Sequence, residues 1–395
     1  MKFVLFCHSL ASDWNHGNAH FLRGVVSELQ ARGHSVATYE PHDGWSRRNL
    51  IEDQGPQALE RFAREFKELS SHLYDPATLD VDAAVEGADA VIVHEWTDPA
   101  LVARIGRSGA RSHAHLFFHD THHRSATDPD ALAALDLSCY DGVLAFGLEI
   151  ANRYLHNGWT RLAWVWHEAA DVRRFRPLPA ARDGDVVWIG NWGDDERSRE
   201  LDEFLIGPIA RLGVRARVHG VRYPSAARAA LEAAGIEYGG WAPNYEVPEI
   251  FSRFRCTVHV PRRIYTQVLK GVPTIRMFEA LACGIPLVSA PWEDAERLFR
   301  APGVDYLIAR DGREMEHQLR AVLEDPALAA SLRRNGLETI LSRHTCAHRV
   351  DELLRIIAGL EAASRHAPHL AVRDQHVRAQ DGRAAPVRAS DSGWP

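Results

Sequence analysis

Residues Gly271 to Trp292 read GVPTIRMFEALACGIPLVSAPW. Gly271-Val272-Pro273-Thr274 has the composition of a loop, and Ile275–Cys283 that of a helix. Gly284 is suited to a left-handed cap, and Pro286 prevents continuation. Leu287–Ser289 then reads as a buried strand. A helix that starts after a glycine-containing loop offers unpaired backbone N–H groups, and its dipole favours an anion. The amides of Thr274 and Ile275 are therefore candidates for a pyrophosphate. Glu279, one turn further in, can accept hydrogen bonds from a ribose diol. The same loop, helix and strand also occur as a plain connection in α/β proteins, so the rest of the chain has to decide.

Working outward, the pattern repeats. Phe3–Phe6 is a short apolar run. Phe21, Leu22, Val25, Val26 and Leu29 follow with helical spacing, Gly33 closes that helix, and Ser35–Tyr39 is a second strand. Strand, helix and strand with short connections make a right-handed βαβ unit and a parallel sheet. Ala90–Val93, Leu116–Phe118 and Gly142–Phe146 are further continuous apolar runs, as strands covered on both faces require. Residues 43–80 are more polar and read as helix. RPLPAARDGD, Arg176–Asp185, has the prolines, glycine and charges of a domain boundary. A second series follows, with strands at Val186–Ile189, Ala216–His219, Ile236–Tyr238, Thr257–Val260 and Leu287–Ser289, and helices over 201–209, 313–324 and 326–341. The expected architecture is α/β, with two doubly wound Rossmann-like domains, 1–176 and 185–344, facing a central cleft. A last helix at 345–362 crosses back to the first domain. A tail, 364–395, lacks apolar period and reads as disordered.

A chain of 395 residues fits two domains at roughly 100–200 residues each. With 46% hydrophobic and 25% charged residues it can bury a sizeable core. The net charge of -7 argues against general nucleic-acid binding. The five cysteines are scattered without metal-type spacing, which suits reduced thiols and a cytoplasmic location. No apolar run approaches the ~20 residues of a membrane span. Neither domain carries GxGxxG after its first strand, which disfavours a dinucleotide-dependent oxidoreductase.

At Phe278-Glu279-Ala280-Leu281-Ala282-Cys283-Gly284-Ile285-Pro286 the chain resembles the donor-site signature of retaining, family-4-like glycosyltransferases of the GT-B fold. Trp188-Ile189-Gly190-Asn191-Trp192-Gly193-Asp194 with Glu196-Arg197, then His219-Gly220-Val221-Arg222-Tyr223-Pro224 and Val260-Pro261-Arg262-Arg263, is similar to the spore-maturation (CgeB-like) members. The resemblance covers most of residues 1–360 and is stronger in the second domain. It implies a glycosyltransferase that moves a hexosyl or related group from a nucleoside diphosphate sugar to an acceptor hydroxyl, with retention. It implies no cofactor and no metal. Glu279 matches the ribose-holding glutamate, Thr274 and Ile275 the amides at the phosphates, and Gly190 and Asn191 the glycine loop of the donor domain. One position departs from the pattern. A second, sugar-contacting glutamate is usual eight residues before Glu279, and here that residue is Gly271.

The leaving diphosphate needs cations, and the planar fork of arginine matches phosphate oxygens. Arg197, at the family's phosphate-binding position, and Arg222, Arg262 and Arg263 are the candidates, with Lys270 weaker; any one could equally be a surface ion pair. His16, Gly17 and Asn18 open the first helix on the acceptor side, where Asn18 also reads as an N-cap. His119 and Asp120, in the run His119-Asp120-Thr121-His122-His123-Arg124, match a loop that related transferases place near the transferred sugar. A zinc site built on these histidines is disfavoured, because alternation along a strand sends neighbours to opposite faces. His167 and Glu168 lie at the crossover and read either as donor contacts or as packing. The competing readings are a nucleotide-sugar epimerase and a nucleotide-sugar-binding protein without catalysis. The acceptor and the oligomeric state are not specified by these residues.

Overall fold

The computed structural model describes residues 1–111, 113–193 and 197–366. The chain divides into two compact units, the first Met1–Arg355 and the second beginning at Ile356. Both sheets belong to the first unit. The described part of the second is the end of the last helix, 356–366.

The first sheet has seven strands: β1 (Lys2–Phe6), β2 (Ser35–Pro41), β3 (His72–Tyr74), β4 (Ala90–His94), β5 (His115–Asp120), β6 (Gly142–Ala145) and β7 (Ala163–Val165). They run in the order β3-β2-β1-β4-β5-β6-β7, and every pair is parallel. The second has six: β8 (Val186–Ile189), β9 (Ala216–His219), β10 (Ile236–Tyr238), β11 (Cys256–His259), β12 (Leu287–Ser289) and β13 (Leu307–Ile308), in the order β10-β9-β8-β11-β12-β13, also all parallel. Each sheet reverses its strand order beside its first strand, at β1/β4 and at β8/β11. Ligands bind outside the carboxyl ends of the strands at such switch points.

The central strands form because helices cover both of their faces. Every residue of β4, AVIVH, and of β8, VVWI, is buried. Each fully buried Val, Ile or Phe contributes about 1.5–3 kcal/mol relative to exposure. The core of the first sheet centres on Val91, Leu116 and Phe118, and that of the second on Val186, Val218 and Val258.

Besides the short edge strands β7 and β13, which the sequence expectation does not contain, four details differ. Residues 43–80 hold two helices, Trp45–Gln54 and Gln57–Glu65, but then the edge strand β3. β5 continues two residues past Phe118, so His119 and Asp120 belong to a strand. Between Ser198 and Leu212 the helix carries a π segment, Asp202–Ile206, directly before Gly207-Pro208. Pro208 has no N–H for the Phe204 carbonyl, which explains the local widening. The last helix, Cys346–His366, runs beyond 362 and takes in the first residues expected in the tail. Asp194, Glu196 and 367–395 lie outside the described residues. The start of the last helix docks on the first domain: Trp166 Nε1 donates to Arg349 O at 2.8 Å, and Arg349 Nε to His167 O at 2.8 Å.

Candidate functional site

One cavity, enclosing about 170 Å³, lies where the two sheets' carboxyl ends meet. Gly190 and Asn191 follow β8, Gly220 follows β9, and Val260 follows β11; all four line it. The opposite wall is the loop after β1, with Asp13, Asn15, His16 and Gly17. Backbone closeness at the floor depends on two glycines. A Cβ on Gly190 would stand 2.5 Å from the Trp188 ring, and one on Gly220 would stand 2.1 Å from the Gly190 carbonyl oxygen. Only bare backbone lets these strand ends converge.

The loop wall is built before any ligand arrives. Buried Arg23 donates from Nε to Leu10 O at 2.8 Å, from Nη1 to Asp13 Oδ2 at 2.9 Å and from Nη2 to Ala11 O at 3.2 Å. Across the cavity, Asn244 N donates to Asp13 Oδ2 at 3.0 Å and Asn191 Nδ2 to Asn15 Oδ1 at 2.5 Å. Asn15 is left-handed, φ 49°, which turns its side chain to this contact. Trp14 packs in a small apolar cluster with Val221 and Trp241 of the second domain.

The N-terminus of the Ile275–Ala282 helix borders the same cavity. Thr274 stands at the N-cap but its side chain caps nothing. Ser289 Oγ donates to Ala290 O at 2.7 Å, so it accepts from His259 Nδ1 at 2.9 Å. Nε2 of His259 then accepts the Thr274 hydroxyl at 3.1 Å. Burial pushes His259 down to about 3, and Arg197 adds to that, so the ring stays neutral. Arg197 reaches over the Trp188 ring at 5.3 Å, donating from Nη1 to Asn191 O at 3.1 Å and from Nη2 to Val260 O. Arg276 lines the same wall.

Glu168 reaches this helix end from the crossover after β7. It is 5% exposed, accepts from Asn18 Nδ2 at 2.9 Å and is held by the Ile275 amide. Burial pushes its carboxyl up to about 8, outweighing the Asn18 hydrogen bond. At neutral pH it is an uncharged acid, so it does not cancel the positive helix end.

Thr274, Ile275, Gly190, Asn191, Arg197, His16 and Gly17 are thus brought to one cavity. Asn18 stands beside it on Glu168. Glu279 is not on the cavity surface. It is 0% exposed, and its carboxylate takes His20 Nδ1 at 2.7 Å, Asn244 Nδ2 at 2.7 Å and Arg276 Nη1. Because the Asp171 amide donates to His20 Nε2 at 2.8 Å, the His20 proton sits on Nδ1 and is given to Glu279. Burial raises the Glu279 pKa, but Arg276, His20 and Asn244 together hold it below the ordinary carboxylate value.

Other expected residues lie elsewhere. His119 sits inside the first domain against Trp166, His94 and Phe21, pushed by burial down to about 3. Asp120 is equally buried, accepting from Tyr154 OH at 2.8 Å and His122 N at 2.9 Å, and burial pushes it up to about 6. The longer β5 is the reason, since it leaves both residues within the sheet. Arg263 pairs with Glu200, at 2.9 Å from Nε and 2.6 Å from Nη2, and borders a separate groove. Arg222 is exposed, left-handed at φ 63°, and outside the lining. Lys270 pairs at the surface with Glu293 at 3.4 Å. His167 spans Phe146 O at 2.9 Å and Glu296 Oε2 at 3.0 Å. Asp13, Asn15, Trp241, Asn244, His259 and Arg276 line the cavity without having been singled out; of these only Arg276, one residue into the helix, had a sequence signal. Among the described residues, no three His, Cys, Asp or Glu are placed to hold a metal ion.

The Gly271 departure has a steric basis. Its φ is +85°, and a Cβ there would lie 2.9 Å from Ala295 Cβ. No side chain fits at that position without strain.

Comparison with known proteins agrees with this architecture. Residues 197–355 match the family model described as "Glycosyl transferase-like". No curated protein matches. Among solved structures, the chain is similar to the Anabaena protein HepE in complex with UDP and glucose, at 14% identity, TM-score 0.66, covering 91% of this chain and 99% of that one. It is similar to an α-glucosyltransferase in complex with UDP and DNA, at 14% identity and TM-score 0.66, covering 91% and 99%. It is also similar to sucrose-phosphate synthase from Thermosynechococcus elongatus, at 15% identity and TM-score 0.61, covering 92% and 100%. The fold is GT-B, two parallel-sheet Rossmann-like domains, as in these solved structures.

Proposed function

We propose that the protein is a glycosyltransferase that moves a hexosyl or related group from a nucleoside diphosphate sugar to an acceptor hydroxyl. The carrying observation is the convergence of a helix N-terminus that the Thr274 side chain leaves uncapped, Arg197 and Arg276 on one cavity floored by Gly190 and Gly220. Solved neighbours hold UDP or UDP-glucose, which makes uridine the first base to test. The similarity to the spore-maturation members belongs to the same proposal.

In this reading the diphosphate lies at the helix N-terminus, on the Arg276 amide beside the Ile275 amide that Glu168 holds, with Arg197 at its side. Their fixed positive potential stabilises the charge that builds on the leaving group. The bond from the anomeric carbon to the diphosphate oxygen breaks as the bond to the acceptor oxygen forms. The acceptor's proton passes to a leaving phosphate oxygen, which suits retention, and the protein's own cations serve without a metal. The present cavity, at about 170 Å³, is smaller than the ~300–1,000 Å³ of small-molecule sites. Donor entry therefore involves parting of the Asn15–Asn191 and Asp13–Asn244 contacts. No helix among the described residues is long and apolar enough to cross a membrane. With five free thiols, a cytoplasmic location completes the proposal.

The test is calorimetric titration with UDP-, GDP- and dTDP-sugars, with and without EDTA, with nucleotide release as second readout. One nucleotide sugar is expected to bind at micromolar levels and to release its nucleotide faster with acceptor. Absence of binding by all three would overturn the reading. Gly271 supports a second one, nucleotide-sugar binding without transfer, which binding without release would favour. An epimerised sugar as product would favour the epimerase.

A further inference from the structure

Three neighbouring parallel strands of the first sheet, β1, β4 and β5, each present an aromatic ring two residues past their last residue: His8, Trp96 and His122. The rings touch in series. His8 and Trp96 have centroids 6.1 Å apart, and Trp96 and His122 5.3 Å. His16 closes the row, 4.9 Å from His8 and 6.1 Å from His94. His16 also lines the cavity between the domains, so this rim continues that cavity.

The rim has unspent hydrogen-bonding capacity. His16 is 7% exposed and its Nε2 has no partner; neither has His122 Nδ1. Trp96 keeps 44% of its surface open although the Arg124 guanidinium stands 4.7 Å over its ring. Burial lowers His8 to about 4 and holds His16, His94 and His122 well below the ordinary histidine value. Four neutral imidazoles and an indole thus form one cluster. The nearby cations are Arg124, which donates to Glu95 O at 2.9 Å, Arg262, which acts on His122, and Arg23, which acts on His16 and is held by Leu10 O, Ala11 O and Asp13.

A neutral imidazole carries one donor and one acceptor, the same pair that each sugar hydroxyl carries. An indole suits the apolar C–H face of a pyranose. A phosphate or carboxylate needs charge-assisted donors; the neutral rings provide none, and Arg124 is already engaged by Glu95 O, Asp128 and the Trp96 ring. We propose that this rim is the acceptor subsite and takes an uncharged saccharide, with its ring on Trp96 and its hydroxyls on His8, His16 and His122. The word acceptor rests on the transferase reading; saccharide binding by the rim does not.

The experiment is binding of the full chain, without donor, to an array of neutral oligosaccharides carrying phosphorylated and carboxylated counterparts. Hits are quantified by saturation-transfer NMR. Neutral members are expected to bind, Trp96→Ala to weaken them about ten-fold and Trp96→Phe to restore most of that. His122→Asn serves as a second variant where Trp96→Ala fails to fold, with a similar loss. Binding confined to anionic members, no binding at all, or affinities unmoved by Trp96→Ala and His122→Asn would each overturn the proposal. Nucleotide-sugar titration of the same preparation reports separately on the transferase reading: glycan binding without donor binding sinks only that reading, and donor binding without glycan binding sinks only this one.

Discussion

Glu168→Gln isolates one buried proton. The carboxyl has an ordinary value of 4.5 and is pushed up to about 8 in the folded chain. Between those values the folded state keeps the proton and the unfolded state loses it. Unfolding then releases a proton, so rising pH favours the unfolded chain. The loss starts near pH 4.5, grows by about 1.4 kcal/mol per pH unit, and levels off above pH 8. At pH 7 it amounts to about 3 kcal/mol, and at its limit to about 5 kcal/mol. Glutamine keeps an oxygen for the Asn18 and Ile275 N–H groups and does not titrate. Urea unfolding at pH 5, 6, 7 and 8 should therefore find Glu168→Gln close to wild type at pH 5 and progressively more stable above it, by about 3 kcal/mol at pH 7. Other titrating groups cancel in the difference. Function should follow the same proton. Above pH 8 the ionised carboxylate opposes an anion at the Ile275 helix end, so donor KM should rise in wild type and stay flatter in Glu168→Gln. A stability difference that does not change between pH 5 and 8 would refute the buried neutral acid.

Three further outcomes are expected. Arg197→Ala should weaken nucleotide-sugar binding by calorimetry about ten- to hundred-fold, through loss of a charged donor worth roughly 1.5–3 kcal/mol, and Arg197→Lys should recover little because a point charge cannot hold both Asn191 O and Val260 O; full affinity in either would count against its place at the phosphates. Gly271→Glu should lower unfolding free energy by about 1–3 kcal/mol, from its left-handed backbone and the Ala295 contact, and an unchanged urea midpoint would show the loop to be adaptable. Arg23→Met should cost about 3 kcal/mol, as breaking a buried ion pair does, and should raise donor KM as well, since Asp13 and Asn15 lose their support; a stability loss with unchanged KM would separate the loop from the site.

Much of the fold could be read because the central strands are covered on both faces and therefore appear as uninterrupted apolar runs. β3, β7 and β13 escaped for the opposite reason. They are edge strands of three, three and two residues, Leu73 is 50% exposed, and only a neighbour's register defines them. The glycines and the helix start of the site were legible because backbone geometry demands particular residues there. His119 and Asp120 were not, since the end of a strand depends on whether its neighbours continue; His119 pairs with both His94 and Leu144, which carries β5 past the apolar run. Asp13, Asn15, Trp241 and Asn244 carry no local signal at all. They meet only because two domains pack with the loop after β1 against the ends of β8 and β9.

Glu279 joins these two kinds of information. Its place on the helix was readable, but its partners were not, and the partners decide what it can do. A buried carboxylate with three donors has no room for a ribose hydroxyl unless one donor gives way. His20 is pinned, because its other nitrogen takes the Asp171 amide and its ring stacks on Phe175 at 3.8 Å. Arg276 and Asn244 both line the cavity, so either can turn toward a ligand and free an oxygen. Asn244 is itself tied to Asp13 through its amide. Any ligand that engages Glu279 by displacing Asn244 therefore also works on the loop that Arg23 organises, and the Ile275 helix and the first domain's loop respond together.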